Sequence, residues 1–356
     1  MPKALRLPLL EERKDELSKC AYCPKLCRAT CVVSEQLPRE ALTPWGKMTS
    51  AFGAAEAGRV DAESAELAWG CSNCFRCREA CDHRNPVTDT LNDARADYVS
   101  LGQAPPAISA LLAREASISA EQTAALKRLA HERGVHVRAD KALLLGCRYA
   151  QALPNDARSG IRLATELAGP VRLLSGCCGA WQRAAGDPAR ARARREALQA
   201  ELGDAQLLVL DPRCALELAE LEPVSLVALA ARHPERFGVR AGQAWPVRYH
   251  DSCALGRGLG LYDEPRLLLE RVTGSAPLEL ETPREHSRCS GAGGLLPISM
   301  PDVAHSAAEQ LAQQHRRLGG GVLVTGCASS TSWLKHTGAE VVDLVTLLAK
   351  GLIGDE

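Results

Sequence analysis

Fifteen cysteines are the residues of this 356-residue chain that could carry chemistry, and eight of them stand in two short runs. The first run is Cys20-x2-Cys23-x3-Cys27-x3-Cys31, and the second is Cys71-x2-Cys74-x2-Cys77-x3-Cys81. A [4Fe–4S] cluster takes one thiolate for each iron, and close spacing lets one turn of backbone reach several corners of the cube. The runs therefore predict eight cofactor-binding cysteines and two [4Fe–4S] clusters.

A pair of structural zinc sites is the alternative, because zinc sites built from four thiolates also use C-x2-C pairs. Zinc motifs rarely place four cysteines within 11 or 12 residues, as these two runs do. The spacing favours clusters over zinc.

The second run has the full spacing of a bacterial ferredoxin. In two-cluster ferredoxins the fourth cysteine of each run ligates the other cluster. This resemblance implies one set of Cys20, Cys23, Cys27 and Cys81, and a second set of Cys31, Cys71, Cys74 and Cys77. The chain departs from the ferredoxin pattern in the longer gap after Cys23, and in having Val32 and Asp82 where proline usually follows.

Most of the remaining seven cysteines follow a short apolar run, as in ALLLGC, VRLLSGCC and GVLVTGC. They are predicted metal-ligating residues: Cys147, Cys177, Cys178, Cys214, Cys253, Cys289 and Cys327. Apolar runs alternating with charged helical stretches indicate α/β domains, whose strands end at one edge of a sheet, where ligands collect. The sequence thus predicts that cysteines distant along the chain meet at such an edge.

The apolar and cysteine pattern occurs twice. Cys147, Cys177 and Cys214 are echoed at Cys253, Cys289 and Cys327, after 106, 112 and 113 residues. Two copies of one α/β unit are therefore expected.

These motifs resemble the cysteine-rich (CCG) family, which includes catalytic subunits of heterodisulfide reductases. It also includes the iron–sulfur subunits of glycolate, lactate and anaerobic glycerol-3-phosphate oxidoreductases. The family pattern is a Cys, then Cys-Cys-Gly, then Cys-x-x-Cys, often repeated. The stretches 249–253 (YHDSC), 256–257, 262–266 and 290–294 also look like family signatures.

Three family cysteines are replaced here, by Asp211, Ser290 and Ser330. The resemblance implies noncubane clusters that cleave a disulfide, but that chemistry needs the full set of thiols. Four thiols in the first repeat can still complete a cubane cluster or a zinc site. Three thiols in the second repeat can hold a cluster with an open corner, with Asp211, Ser290 or His250 as substitutes, or that repeat has no metal.

The composition supports metal or redox chemistry rather than disulfides. Lys plus Arg and Asp plus Glu number 43 each, so no net field attracts nucleic acid or an anionic membrane. The sequence shows neither a secretory signal nor a transmembrane run, so we expect a cytoplasmic location, peripheral at the inner face of the membrane only through a partner. Disulfides are rare in that compartment.

The fold class predicted is multidomain, α plus α/β. Residues 1–140 are expected to form an α-helical ferredoxin-like domain with two clusters, 141–246 the first cysteine-rich domain, and 247–356 the second. Helical stretches are predicted at 54–68, 121–133, 265–272 and 302–318.

The predicted function is an iron–sulfur electron-transfer subunit of a multi-subunit oxidoreductase. No flavin or nicotinamide motif is visible, so a flavoprotein or dehydrogenase partner must supply that step. The acceptor would be a quinone, through a membrane subunit, or a thiol/disulfide. The alternatives are a heterodisulfide-reductase-like enzyme acting at the cysteine-rich domains, with catalytic residues unknown, and a metal-stabilised redox sensor or scaffold.

Overall fold

The computed structural model describes residues 7–132, 139–239 and 246–353. Residues 1–6, on which the expected lack of a leader partly rests, lie outside that range, as does Arg133 at the end of a predicted helix. The chain divides into two compact units. The helical unit comprises Met1–Glu115, Trp181–Ala191 and Arg288–Leu311, and the α/β unit comprises Ala116–Ala180, Arg192–Ser287 and Ala312–Glu356. The predicted boundaries at 140 and 246 stay a prediction.

Among the described residues, nine α-helices precede the first strand. They are α1 (Pro8–Glu12), α2 (Lys14–Ala21), α3 (Val32–Gln36), α4 (Pro44–Ala57), α5 (Ala62–Trp69), α6 (Arg76–Glu79), α7 (Val87–Ser100), α8 (Pro106–Ala113) and α9 (Glu115–Glu132). The helical character expected of the N-terminal region is confirmed.

Strands and helices then alternate. The strands are β1 (Lys141–Leu144), β2 (Arg172–Leu173), β3 (Gln206–Val209), β4 (Val224–Ser225), β5 (Val247–His250), β6 (Leu278–Glu279), β7 (Val322–Thr325) and β8 (Val341–Asp343). The later helices are α10 (Cys147–Ala152), α11 (Pro154–Ala168), α12 (Ala180–Ala185), α13 (Pro188–Leu202), α14 (Pro212–Glu217), α15 (Leu226–Ala231), α16 (Asp263–Thr273), α17 (Leu296–Ser299), α18 (Pro301–Arg317), α19 (Ala328–Lys335) and α20 (Leu344–Gly351).

The helix predicted over 54–68 is wrong as a single element. Gly58 takes a left-handed conformation with φ 61° and ends α4, and the Asp61 carboxylate accepts a hydrogen bond from the Ser64 amide to begin α5. Glycine adopts positive φ without steric penalty, and aspartate is a strong N-cap, so two local signals override the helical composition. The other three predicted helices fall on α9, α16 and α18.

Two four-stranded parallel sheets lie in the α/β unit. Their strand orders are β2-β1-β3-β4 and β6-β5-β7-β8, which is the same order repeated. Parallel strands need crossover connections, and helices supply them here. One apolar core joins both sheets and contains residues such as Leu143, Leu208, Tyr249 and Val324.

The strand register corrects one part of the predicted repeat. The first strands of the two sheets begin 106 residues apart, at Lys141 and Val247, which agrees with the echo of Cys147 at Cys253. β3 and β7 begin at 206 and 322, which is an offset of 116 residues. Cys327 therefore corresponds to Asp211, and Cys214 corresponds to Ser330, so the echo of Cys214 at Cys327 is wrong.

Contacts between the two sequence repeats centre on a buried carboxylate. Asp343 accepts hydrogen bonds from the Tyr149 hydroxyl at 3.0 Å and from the Thr331 hydroxyl at 2.8 Å. Burial, together with nearby Asp156, raises the pKa of Asp343 to about 7. Nearby, α14 packs on a π-helical turn at Ala254–Gly258, and α10 packs on α19.

We predict that Asp343→Asn stabilises the protein increasingly as the pH rises. An unfolded aspartate ionises near pH 4, whereas Asp343 stays protonated in the fold up to about pH 7. Between these values the folded state binds the extra proton, so wild-type stability falls as the pH rises. Thermal unfolding measures the free energy of unfolding of the variant minus that of wild type. This difference should be about 2 kcal/mol larger at pH 8 than at pH 5.5. A difference independent of pH would contradict this role.

Candidate metal centres

Two cavities in the helical unit are lined by the eight cysteines of the N-terminal runs. The first cavity has about 380 Å³ of atom-free space, including its part open to solvent. Its cysteines are Cys20, Cys23, Cys27, Cys77 and Cys81. The second has about 340 Å³ on the same measure, and its cysteines are Cys31, Cys71, Cys74 and Cys77. Cys81 thus lies with the first run and Cys31 with the second, and Cys77 lines both cavities.

The thiols of the first cavity influence one another strongly. Burial, together with the nearby Cys27, Cys81 and Cys23 and offset in part by a hydrogen bond from Asn85, raises the pKa of Cys20 to about 12. Burial, with Cys23 and Cys81 nearby, raises the pKa of Cys27 to about 11. Several thiolates packed in an apolar site need a positive partner, which a metal centre provides.

Asn85 is the polar residue that reaches the first group of thiols. Its side-chain amide donates to Cys20 Sγ at 3.0 Å and to the Glu16 carbonyl at 2.8 Å, and its backbone amide donates to Cys81 Sγ at 3.5 Å. These contacts come from a neutral group.

A buried lysine reaches the second group. Lys47 on α4 is 2% exposed, and its Nζ donates to Cys31 Sγ at 3.3 Å. Burial alone would lower the pKa of Lys47, but Cys31, Cys71 and Cys77 raise it overall. The lysine is held charged by the thiols around it.

Arg95 on α7 hydrogen-bonds the backbone of the segment that carries the second group of cysteines. This fully buried guanidinium donates to the backbone carbonyls of Cys71 at 2.9 Å, Ala68 at 3.0 Å, Ala184 at 3.0 Å and Gly294 at 3.4 Å. Burial lowers the pKa of Arg95 only to about 10, so it remains cationic at neutral pH.

Cys289 belongs to the helical unit and lies against the second run. Its thiol donates to the Ser72 hydroxyl at 3.4 Å. Gly293 and Gly294 pack so closely on this loop that a Cβ at either would collide with the carbonyl oxygens of Ser72 or Cys71. The segment after β6 is thereby joined to the loop that carries Cys71 and Cys74.

Four cysteines of the first repeat form a connected group of thiols in the α/β unit. Side-chain hydrogen bonds join Cys147 to Cys177, Cys177 to Cys178, and Cys178 to Cys214. Hydrogen bonds from Cys147 and Cys178 lower the pKa of Cys177 well below that of an ordinary thiol. The four predicted ligands of this repeat are brought together.

The turns at Cys177-Cys178-Gly179 and Cys289-Ser290-Gly291 have the same local geometry. In each, the glycine amide donates to the first cysteine's sulfur at 3.4 Å. Both glycines have positive φ, 83° for Gly179 and 79° for Gly291, which a residue with a side chain adopts rarely. The glycine of this motif is therefore required by the turn itself.

The other two cysteines of the second repeat lie near groups of the first. The half-buried Arg213 has Cys253, Cys327 and Asp211 close to it, and they raise its pKa although burial lowers it. Asp211 is buried and caps α14 by accepting from the Arg213 amide at 2.9 Å. His250 is buried with its Nδ1 3.0 Å from the Thr325 hydroxyl.

Comparison with known families matches two segments of the chain. Residues 16–85 match the 4Fe–4S dicluster domain, and residues 247–335 match the cysteine-rich domain of the CCG family. The chain contains a 4Fe–4S dicluster domain and a CCG cysteine-rich domain. The family resemblance read from the motifs is confirmed, and the eight cysteines that line the two cavities lie within the segment matched to the dicluster domain.

Three relatives illustrate what the chain is similar to. A subunit of the dihydromethanophenazine:CoB–CoM heterodisulfide reductase from Methanosarcina acetivorans is 33% identical over 112 residues, 30% of this chain and 27% of the relative. The probable iron–sulfur-binding oxidoreductase FadF of Bacillus subtilis is 32% identical over 116 residues, covering 30% and 16%. EtfAB:quinone oxidoreductase of Syntrophomonas wolfei is 48% identical over 48 residues, covering 14% and 7%. The chain thus spans about a quarter or less of each relative.

Sequence reasoning missed three residues of the helical unit that contact the cysteine runs: Lys47, Asn85 and Arg95. Lys47 had a usable signal, since it is the one basic residue in the largely apolar sequence of α4. The arginines near the second run are more conspicuous in the sequence. Of these, Arg76 pairs with Glu35, and Arg78 and Arg84 pair with Glu79.

Within the described ranges, no helix is long and apolar enough to cross a membrane. In the same ranges, no three or more His, Cys, Asp or Glu side chains converge on a point suited to a single metal ion. The thiols of the dicluster domain instead surround two spaces.

We predict that Arg95→Met destabilises the dicluster domain by about 3 kcal/mol or more, because several buried carbonyls lose their donor. Thermal unfolding of the purified protein measures the loss. Arg39→Met, which changes an exposed arginine, should stay within about 0.5 kcal/mol of wild type. Equal losses in the two variants would show that Arg95 has no special role.

Proposed function

We propose that the protein is an iron–sulfur electron-transfer subunit of a multi-subunit oxidoreductase, and that its dicluster domain holds two [4Fe–4S] clusters. The observation that carries this proposal is that eight cysteines line two cavities, five at the first and four at the second, with Cys77 lining both. Four thiolates are what one cubane cluster requires. Cys20, Cys23, Cys27 and Cys81 would hold the first cluster, and Cys31, Cys71, Cys74 and Cys77 the second.

The donor set fits clusters better than single zinc ions. Thiols are suitable ligands for both, but the segment that carries these eight cysteines matches the 4Fe–4S dicluster domain. A bound [4Fe–4S] cluster supplies reversible one-electron transfer. The chain's own residues bury the thiols, donate hydrogen bonds to them and place a cation beside one group.

The first site lies close to the protein surface. Tyr22 and Leu26, which stand beside Cys23 and Cys27, are 82% and 51% exposed. Exposed apolar side chains next to a redox site favour a small, transient contact with an electron-transfer partner. This supports electron exchange with another protein at the first site.

The names of the relatives support the proposed partners and acceptors. One is an EtfAB:quinone oxidoreductase, and another is a heterodisulfide reductase subunit. By analogy, we propose a flavoprotein or dehydrogenase partner, and a quinone or a thiol/disulfide acceptor. A membrane quinone-reactive subunit and work at the cytoplasmic face of the membrane remain part of this proposal.

A third centre is proposed in the first cysteine-rich repeat. Cys147, Cys177, Cys178 and Cys214 form one connected group, and four thiols can hold a further iron–sulfur cluster or a zinc ion. Cys253 and Cys327 in the α/β unit, and Cys289 in the helical unit, each remain a proposed metal ligand.

A heterodisulfide-reductase-like activity is the second candidate. It is favoured by Cys177, whose lowered pKa gives it the thiolate character that thiol–disulfide exchange requires. Assay of the isolated protein with a viologen donor and a small disulfide separates this function from pure electron transfer. Turnover that Cys177→Ala abolishes would favour the enzyme, and no turnover would favour the carrier.

We predict about eight irons per chain from the dicluster domain alone, and the loss of about four in Cys74→Ala. The reason is that Cys74 lines the second cavity and not the first. Iron and sulfide analysis after anaerobic purification, with electron paramagnetic resonance of the reduced protein, measures both. Cys20→Ala should remove the other cluster signal, and zinc in place of iron would overturn the proposal.

We predict that Cys178→Ala removes metal bound beyond those eight irons and leaves the dicluster signals intact. Cys178 shares hydrogen bonds with both Cys177 and Cys214, so its loss divides the four-thiol group. Metal analysis for iron and zinc compares this variant with wild type. If wild type holds no metal beyond eight irons, the third centre is excluded.

A further inference from the structure

The two sites of the dicluster domain differ in the charge placed beside their thiols. The second site has the buried ammonium of Lys47 at 3.3 Å from Cys31 Sγ. The first site has the neutral amide of Asn85 at 3.0 Å from Cys20 Sγ. A full charge and a dipole at similar distances stabilise added negative charge to different degrees.

Burial makes this difference larger. Lys47 is 2% exposed, so water and salt screen its charge weakly. Lys19 and His83 also line the first cavity, but both are exposed, and exposed charges interact weakly. The cation that counts most therefore lies at the second site.

Most other cationic side chains near the two sites form ion pairs with glutamates, and Arg95 adds positive charge at the second site. Lys25 and Arg28 both bind Glu40, and Arg78 and Arg84 bind Glu79. At the second site Arg76 pairs with Glu35. The guanidinium of Arg95, by contrast, is fully buried and donates to the Cys71 carbonyl at 2.9 Å, which places a second positive charge beside this site.

We propose that Lys47 gives the second site the higher reduction potential, so that an electron entering the dicluster domain settles there. This inference rests on the proposed function, since it requires both sites to hold [4Fe–4S] clusters. Reduction adds one negative charge to a cluster, and a nearby buried cation favours the reduced form. In the transfer the first site is oxidised by one electron and the second is reduced by one, and no bond or proton changes place.

The second site, which we expect to have the higher potential, contacts the segment of the second cysteine-rich repeat that carries Cys289 and Gly294. Ser72 of the second run accepts a hydrogen bond from Cys289, and Arg95 binds the carbonyls of both Cys71 and Gly294. The first site has the exposed Tyr22 and Leu26 beside it. The direction of flow is therefore from the first site, which has these exposed side chains beside it, to the second site and towards the segment that carries Cys289.

Redox titration followed by electron paramagnetic resonance, with dithionite as the reductant and dye mediators, tests the proposal on the purified full chain. Wild type should show two one-electron transitions at separate potentials. Lys47→Gln should lower the higher potential and leave the lower one in place, so the gap narrows or reverses. Lys14→Gln, which changes an exposed lysine that lines neither cavity, should move neither potential.

Cys74→Ala tests the same ordering without touching Lys47, because it keeps only the first site. Its remaining transition should coincide with the lower wild-type potential. The proposal is overturned if wild type shows equal potentials, if Lys47→Gln moves neither potential or only the lower one, or if the Cys74→Ala transition matches the higher. Iron below about eight per wild-type chain would instead count against the two-cluster function itself.

Discussion

A single buried guanidinium joins the parts of the helical unit. Arg95 on α7 donates to the carbonyls of Ala68 at the end of α5, Cys71 in the second run, Ala184 in α12 and Gly294 after β6. These groups are far apart in sequence, and each would be an unsatisfied buried acceptor without a donor. A buried arginine with this many partners requires all of the segments to be present, so the loop of the second run depends on residues from the later part of the chain.

The same low-dielectric environment determines the pKa values of the thiols. Burial raises the pKa of Cys20 to about 12, and it also keeps the charge of Lys47 from being screened. Apolar packing excludes water, so thiolates in these cavities are stable only beside positive charge. The same packing preserves the effect of the Lys47 charge, which is present at the second cavity and not at the first. One neutral amide and one ammonium, at nearly equal distances from sulfur, distinguish sites whose thiols are otherwise alike in number.

The α/β unit shows a repeated topology with altered side chains. Both sheets have the same strand order, and the turns at Gly179 and Gly291 keep the same amide-to-sulfur hydrogen bond. Ser290 replaces a cysteine in the second of these turns, and Asp211 stands where the strand register matches Cys327. Backbone geometry is maintained by glycine and by parallel pairing, whereas the set of thiols differs between the repeats.

Local spacing in the sequence was enough to predict the helical N-terminal region, the alternating α/β texture, the eight cysteines of the two runs and the CCG motifs. These depend on contacts within a few residues, so pattern and residue type determine them. The predicted helix over 54–68 failed where Gly58 and Asp61 ended and restarted it. The positions of Lys47 beside Cys31, of Cys289 on Ser72 and of Asp211 near Cys327 followed only from tertiary structure. Their partners are brought together by the packing of helices and sheets, and no short spacing in the chain encodes that packing.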